Sequence, residues 1–275
     1  MIGSAVLIER DNPGPRVAAH HADGEGIAKI GYPIHIRTVT LLRKEYVTSS
    51  ILRLTVGGPG LEGFHSYQCD DHFKIVFPDP DGTLRLPVPD DEQSLTWPKP
   101  SPVSRRYTAR RYDAGAREMD IDFVVHPGGV ASDWAVAAEP GDDVAIAGPP
   151  GAKAFPHNYD HYLFAVDTTA LPAAARWLEE SPRDVSAHLV VETGHRDEHR
   201  YPLAERPGVE VVWLTRGDTS GLAGTVRELP LPAGRVFLFA AGEADDIKPL
   251  RAWAKDRLDA LFTGYWRRGV AGLED

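Results

Sequence analysis

Four arginines, Arg105, Arg106, Arg110 and Arg111, fall within seven residues of a chain whose formal net charge is -10. They alternate with aromatic and hydroxyl side chains in the run Ser104-Arg105-Arg106-Tyr107-Thr108-Ala109-Arg110-Arg111-Tyr112. In a strand, such a run sets guanidinium, phenol and hydroxyl groups at fixed spacing on a defined surface. Guanidinium forks match phosphate oxygens, and a neighbouring aromatic suits a flat ring. On chemistry alone the run is either a site for an anionic aromatic cofactor or a salt-bridged strand edge.

Other side chains could add to such a site. Lys74, in a strand pattern, could attract an anionic substrate or be an ordinary edge-strand lysine. His126 ends an apolar run just before Gly128-Gly129, where it could face a ligand or bond to backbone. The two glycines lead into a helical pattern at Ala131, Trp134, Ala135 and Ala138. A helix start of this kind aims free N–H groups and positive dipole outward, which suits a pyrophosphate. Cys69-Asp70-Asp71-His72 has metal-ligating residue types, but neighbours on a strand face opposite ways, so no metal is expected there. His195 and His199 lie in a polar stretch and read as solvated. No Ser-His-Asp or Cys-His arrangement is identifiable, so a bound cofactor, not a side-chain nucleophile, would have to carry the chemistry.

Two kinds of element would position these groups. From Ile34 to about Ile146 short alternating runs such as Ile34-His35-Ile36-Arg37-Thr38-Val39 are divided by turn clusters, which predicts a small antiparallel β-barrel. After Gly148-Pro149-Pro150-Gly151-Ala152 the pattern changes. Near-continuous apolar strands at 162–166, 188–191, 209–214 and 236–240 are interspersed with helical patterns over 171–178 and 247–262, which implies a parallel sheet buried on both faces. The expected organisation is an extension over 1–31, a barrel domain over 32–151 and an α/β domain over 152–275. The extension lacks apolar periodicity and reads as poorly ordered, without the pattern of a secretory signal.

Acidic balance argues against nucleic acid as a partner. No apolar stretch approaches the length of a membrane span. A single cysteine, Cys69, excludes an internal disulfide and points to a reducing, cytoplasmic setting.

The pattern Arg105-x-Tyr107-Thr108 resembles the flavin-binding motif of the ferredoxin-NADP reductase superfamily. The chain is similar to one branch in particular, the siderophore-interacting proteins. The resemblance extends in order through 54–61, 70–75, 122–126, 129–135, 140–142, 170–173, 241–244 and 264–269. It implies an antiparallel β-barrel FAD-binding domain followed by an NAD(P)H-binding α/β domain, passing electrons from NAD(P)H through FAD to a ferric siderophore. Such chelates grip Fe3+ through hard oxygens and Fe2+ poorly, so one electron loosens the iron.

Residue by residue, the resemblance implies that Arg105 holds the flavin pyrophosphate, Tyr107 packs on the isoalloxazine, and the Thr108 hydroxyl lies near its reactive nitrogen. His126, Gly128, Gly129, Val130, Ala131, Ser132 and Trp134 would complete the flavin site, with Asp167 and Thr169 beyond the first parallel strand. Lys74 and Arg267 would meet the substrate, and Arg216, Gly242 and Glu243 the nicotinamide nucleotide. Tyr265 to Arg268 could cover the flavin or end the last strand.

Where the family usually reads Gly-Asp-Glu-Thr, this chain has Val166-Asp167-Thr168-Thr169. Asp133 stands where the family commonly has an arginine, which predicts weaker attraction for anionic chelates. The nucleotide is expected to be NADPH, with Arg216 or Arg196 meeting a 2'-phosphate; Glu192 would suit the free ribose of NADH. The alternative is a siderophore- or flavin-binding module lacking direct NAD(P)H activity, or one reduced by a ferredoxin.

Overall fold

A computed structural model describes residues 9–90, 94–217 and 220–272. In chain order the elements are α1 (Pro13–Asp23), β1 (Ala28–Gly31), β2 (Ile36–Thr48), β3 (Ile51–Gly57), β4 (His72–Val76), β5 (Val88–Pro89), β6 (Leu95–Thr96), β7 (Ser104–Thr108), β8 (Arg111–Asp113) and β9 (Glu118–Val124). There follow α2 (Val130–Ala137), β10 (Asp143–Ala147), β11 (Gly151–Ala154), β12 (His161–Asp167), α3 (Leu171–Glu180), β13 (Ser186–Thr193) and β14 (Val209–Thr215). The last are α4 (Gly221–Glu228), β15 (Val236–Glu243), α5 (Ala244–Ala254) and β16 (Asp259–Trp266).

The first half forms a seven-stranded antiparallel sheet in the order β7-β4-β10-β2-β3-β9-β8. Its alternating apolar residues turn to one side and fill a core that includes Leu41, Leu54, Val56, Phe73, Ile75, Ile121 and Phe123. The sheet rolls up until β7 meets β9, where the rings of Tyr107 and Phe123 lie 4.1 Å apart. This is the expected barrel.

The second half is a five-stranded parallel sheet ordered β14-β13-β12-β15-β16. Along β12 the side chains alternate between two cores. Tyr162, Phe164 and Val166 pack under α3, whereas Leu163 and Ala165 pack under α4 and α5. Every residue of β12 and β15 is buried. At roughly 2 kcal/mol for each large apolar side chain removed from water, these two strands anchor the domain.

Three expectations need correction. The N-terminal extension is ordered over residues 9–31: α1 seats Val17 in a small core with Ile30, Tyr32, Ala152 and Ala154, and β1 pairs with β11. Two buried residues, Pro13 and Val17, in eleven helical residues leave no periodicity to read; residues 1–8 lie outside the described residues. The expected boundary at 151/152 falls inside β11, which belongs with β1. The helical pattern at 247–262 stops at Ala254; Asp256 adopts a left-handed φ of 59°, and the aromatic run that follows becomes β16.

Candidate functional site

Pairing of β7 with β4 sets Tyr107 opposite Phe73, Arg106 opposite Lys74 and Arg105 opposite Ile75. Strand alternation then puts Arg105 and Tyr107 on one face and Arg106 with Lys74 on the other. Arg105 donates from Nη1 to the Ser104 carbonyl at 2.8 Å, which fixes the direction of its fork. The Tyr107 phenol is pushed up by burial against Phe123.

The other two arginines of the run are structural. Arg110 is buried and forms a forked pair with Glu179 of α3 at 2.8 and 2.6 Å, while Arg111 meets Asp120 at 2.9 Å. The run therefore divides: Arg110 fastens the two domains together, whereas Arg105, bonded to a neutral carbonyl, enters no ion pair among the described residues.

Beside it, β9 ends and the chain turns through Gly128, whose φ of 76° favours glycine, into α2. Gly129 caps the helix with no side chain. A Cβ at Gly129 would stand 2.4 Å from His126 Cε1, so the imidazole lies directly against this bare turn. The backbone N–H of His126 donates to Ser132 Oγ at 2.8 Å, tying the strand end to the first helical turn. Val130, Ala131 and Ser132 have N–H groups that no intrahelical carbonyl can reach. Trp134 packs between Phe77 and Phe123, with ring centroids 5.2 and 6.0 Å away, and holds α2 on the barrel.

A flavin needs polar partners along its ring edge and pyrophosphate. Among the described residues, buried Thr263 Oγ1 of β16 has no hydrogen-bond partner. Tyr265 lies beside Thr108 at the junction of the two domains. An arginine fork, a bare helix start and the unpartnered hydroxyl of Thr263 fit FAD.

The crest of the parallel sheet is a brace. Buried Asp167 accepts from Thr169 N (2.8 Å), Thr169 Oγ1 (2.6 Å), Glu243 N (2.8 Å) and Trp266 Nε1 (2.7 Å). Gly242 has φ 139°, and a Cβ there would meet Asp167 Cγ at 2.5 Å. Glu243 accepts from Asp245 N, Asp246 N and Arg268 N at 2.7 to 3.0 Å, and despite burial these bonds hold its carboxyl below the usual range. Asp167, Thr169, Gly242 and Glu243 are thus brought together, with their side chains engaged in holding β12, β15 and β16.

Arg216 lies near Glu192 (3.4 Å) and over the Trp266 ring (5.6 Å), and Arg267 lies near Asp245 (3.4 Å). Glu192 caps α4 by accepting from Leu222 N, which occupies the carboxylate expected to suit a ribose. His199 is not simply solvated: it stacks on Trp213 at 5.1 Å and bonds Thr193.

Lys74 lines a separate cavity of about 320 Å³ with Arg10, His72, Trp97 and Arg106, its Nζ 4.8 Å from the centre of the Trp97 ring. Neither Arg267 nor Asp133 is among its lining residues. Asp133 is exposed on α2.

Sequence reading missed the latch between the domains. Arg176 of α3, only 2% exposed, donates to Ser66 Oγ (2.6 Å), Ser66 O (3.1 Å) and Ala109 O (3.0 Å) on the barrel side. Glu198 accepts from Thr168 Oγ1 at 2.7 Å and from the Ser50 hydroxyl of the barrel. An arginine within the otherwise apolar stretch Leu171–Leu178 was the only signal.

The Cys69 stretch is a buried turn ahead of β4, and only His72 is in a strand. Asp71 accepts from Tyr32 Oη, Tyr67 N and Gln68 N, while Asp70 Oδ1 has no partner. Burial, with the charge of Asp71 second, raises Asp70 to about 7. An acid with a folded pKa above its unfolded value stabilises below the unfolded value, and that contribution is lost as pH rises through the folded one. Stability should therefore fall between about pH 4 and 7, by up to about 1.4 kcal/mol per pH unit for one proton. Asp70→Asn should flatten this slope in urea titrations; an unchanged slope would show that Asp70 ionises normally.

Comparison with known proteins places this geometry. Residues 40–153 match the family model of the siderophore-interacting FAD-binding domain, and residues 159–269 that of the siderophore-interacting protein. An NADPH-dependent ferric-chelate reductase of Escherichia coli K12 is 35% identical over 85% of this chain and 93% of its own.

The chain belongs to the siderophore-interacting protein family.

Within that family, a ferric vibriobactin reductase of Vibrio cholerae is 32% identical over 86% of this chain and 91% of its own. The crystal structure of a siderophore utilization protein from T. fusca superposes with a TM-score of 0.84 at 38% identity, covering 90% of this chain and 98% of the other. The barrel is accordingly the FAD-binding domain, and the barrel-plus-parallel-sheet arrangement is that of the family.

Proposed function

We propose that this protein is a ferric-siderophore reductase that takes electrons from NADPH through FAD and releases iron as Fe2+. The observation that carries the reading is the placement of Arg105 and Tyr107 on one face of β7, beside the bare start of α2 and under a nucleotide domain latched to the barrel. Bound FAD would supply the ability to accept a hydride and return single electrons. Arg105 would bind and orient the pyrophosphate, with the free N–H groups of Val130 and Ala131 as further donors. Tyr107 offers a ring face, and His126 closes the turn beside it. Latching by Arg176 and Arg110 keeps the two domains in register. No chain residue needs to act as nucleophile or general base.

The names of the two reductases support NADPH and a ferric chelate. A reducing, cytoplasmic setting suits a chain with one cysteine, buried Cys69. A second reading, reduction by a ferredoxin, is favoured by the engagement of Arg216 and Glu192 with each other. The two readings separate under anaerobic conditions. NADPH should bleach the yellow holoprotein within the turnover time; a flavin bleached only by reduced ferredoxin would support the second reading.

A further inference from the structure

The cavity that holds Lys74 is closed on one side by a residue far outside the matched family regions. Arg10 lies in the segment leading into α1, and the matched residues begin at 40. Its Nη1 donates to two backbone carbonyls, Tyr32 O at 2.6 Å and Pro150 O at 2.8 Å. Tyr32 N bonds the same Pro150 carbonyl at 3.1 Å, so Arg10 is clamped where β1 runs on past the end of β10. Neutral carbonyls fix the guanidinium without cancelling its charge. Among the described residues Arg10 enters no ion pair, whereas Lys74 and Arg106 have further partners of their own. With Nη1 occupied, the donors on Nη2 and Nε are left for a ligand, in the planar fork that fits a pair of anionic oxygens.

The rest of the lining narrows the ligand. Trp97 supplies an aromatic wall, Leu95 and Phe73 an apolar one, and His72 and Ser94 polar contacts. At about 320 Å³ the cavity is at the lower end of the roughly 300–1,000 Å³ typical of small-molecule sites. It has room for one arm of a chelate and not for a whole ferric siderophore. An arm with a flat ring and adjacent anionic oxygens matches both the tryptophan face and the guanidinium fork.

We propose that Arg10 is a specificity-determining residue of the chelate site, placing a fixed positive charge in the wall of the Lys74 cavity so that chelates with an anionic catecholate arm are preferred. The assignment rests on the reductase reading and extends it to substrate class. Arg10 selects by binding and takes no part in electron transfer.

The test uses the oxidised holoprotein, so no turnover is needed. An anionic ferric tricatecholate and a ferric trihydroxamate without negative charge are titrated against tryptophan fluorescence, for the wild type, Arg10→Gln and Arg10→Lys. Glutamine removes the charge but ends two bonds short of Nη1, so the lysine variant, which keeps the charge on a chain nearly as long, separates loss of charge from loss of the clamp. Arg10→Gln should weaken tricatecholate binding on the order of tenfold, the loss of one charge-assisted contact, and leave the trihydroxamate within about twofold. Arg10→Lys should recover part of the loss, and flavin content should be unchanged in both. Arg227→Ala, which removes a charge from α4 of the other domain, should alter neither Kd.

Equal weakening for both chelates, or none for either, would overturn the assignment. If the wild type binds the tricatecholate in an Arg10-dependent way yet yields no ferrous iron, the reductase reading fails and the assignment of Arg10 survives. If ferrous iron forms from both chelates and Arg10→Gln changes neither Kd, the reductase reading survives and the assignment fails.

Discussion

Replacing Arg105 with alanine should strip the purified protein of most of its FAD, weakening affinity roughly ten- to a hundredfold. The reason is local. Arg105 shares a face of β7 with Tyr107, and its fork is aimed by the bond from Nη1 to Ser104 O. Losing a charge-assisted bond to a pyrophosphate costs roughly 1.5–3 kcal/mol. The backbone of Gly272 also lies against this guanidinium, where a Cβ would stand 3.2 Å from Nη1, so the far end of the chain packs on the same side chain. Arg106→Ala, on the opposite face and paired with Lys74, should leave flavin retention near the wild-type level. Equal FAD loss from the two variants would mean that strand alternation does not define the site.

Arg176→Ala should be the most destabilising single change in the molecule's domain junction, costing about 3–5 kcal/mol. Its guanidinium is buried, bonds Glu180 at 2.7 Å, and meets two backbone carbonyls and a hydroxyl across the junction. It also faces the buried carboxylate of Asp71. Removing the cation takes the nearest positive charge from the Asp71 carboxylate, which keeps its bonds from Tyr32, Tyr67 and Gln68, and leaves the Ala109 and Ser66 carbonyls without this donor. For a chain of this size the melting temperature should fall by about 6–20 °C. Arg176→Met combined with Asp71→Asn should recover part of the loss, because it removes both charges instead of one. A melting temperature within 2 °C or so of wild type for Arg176→Ala would show that the latch contributes little.

Much of the architecture was readable because it rests on local alternation. The barrel strands and the four apolar strands at 162–166, 188–191, 209–214 and 236–240 have their periodicity in the sequence, and Gly128-Gly129 before Ala131 marks the start of α2. The two halves of the arginine run could not be told apart in the same way. Arg105 and Arg110 are the same residue type five positions apart, and what separates them is Glu179, 69 residues away from Arg110. The role of Asp167 was equally hidden: an acid after a parallel strand suits a cofactor, but its acceptors are taken by Glu243 N, 76 residues on, and Trp266 Nε1, 99 residues on. The start of β16, residues 259–262, reads as helix because its apolar residues continue from α5, and α1 leaves no pattern because only Pro13 and Val17 of it are buried. In each case a partner distant in sequence decides, and one sequence records no such partner.

The central claim is that electrons pass from NADPH to ferric iron on this chain, and an anaerobic stoichiometry tests it most directly. A limiting amount of NADPH is added to the holoprotein with excess ferric siderophore and a ferrous trap, and ferrous iron is counted against nucleotide consumed. A hydride carries two electrons and each iron takes one, so the account predicts about two ferrous ions per NADPH, with none formed when the protein or the nucleotide is left out. NADPH oxidised without ferrous iron, or ferrous iron formed equally well without the protein, would contradict it.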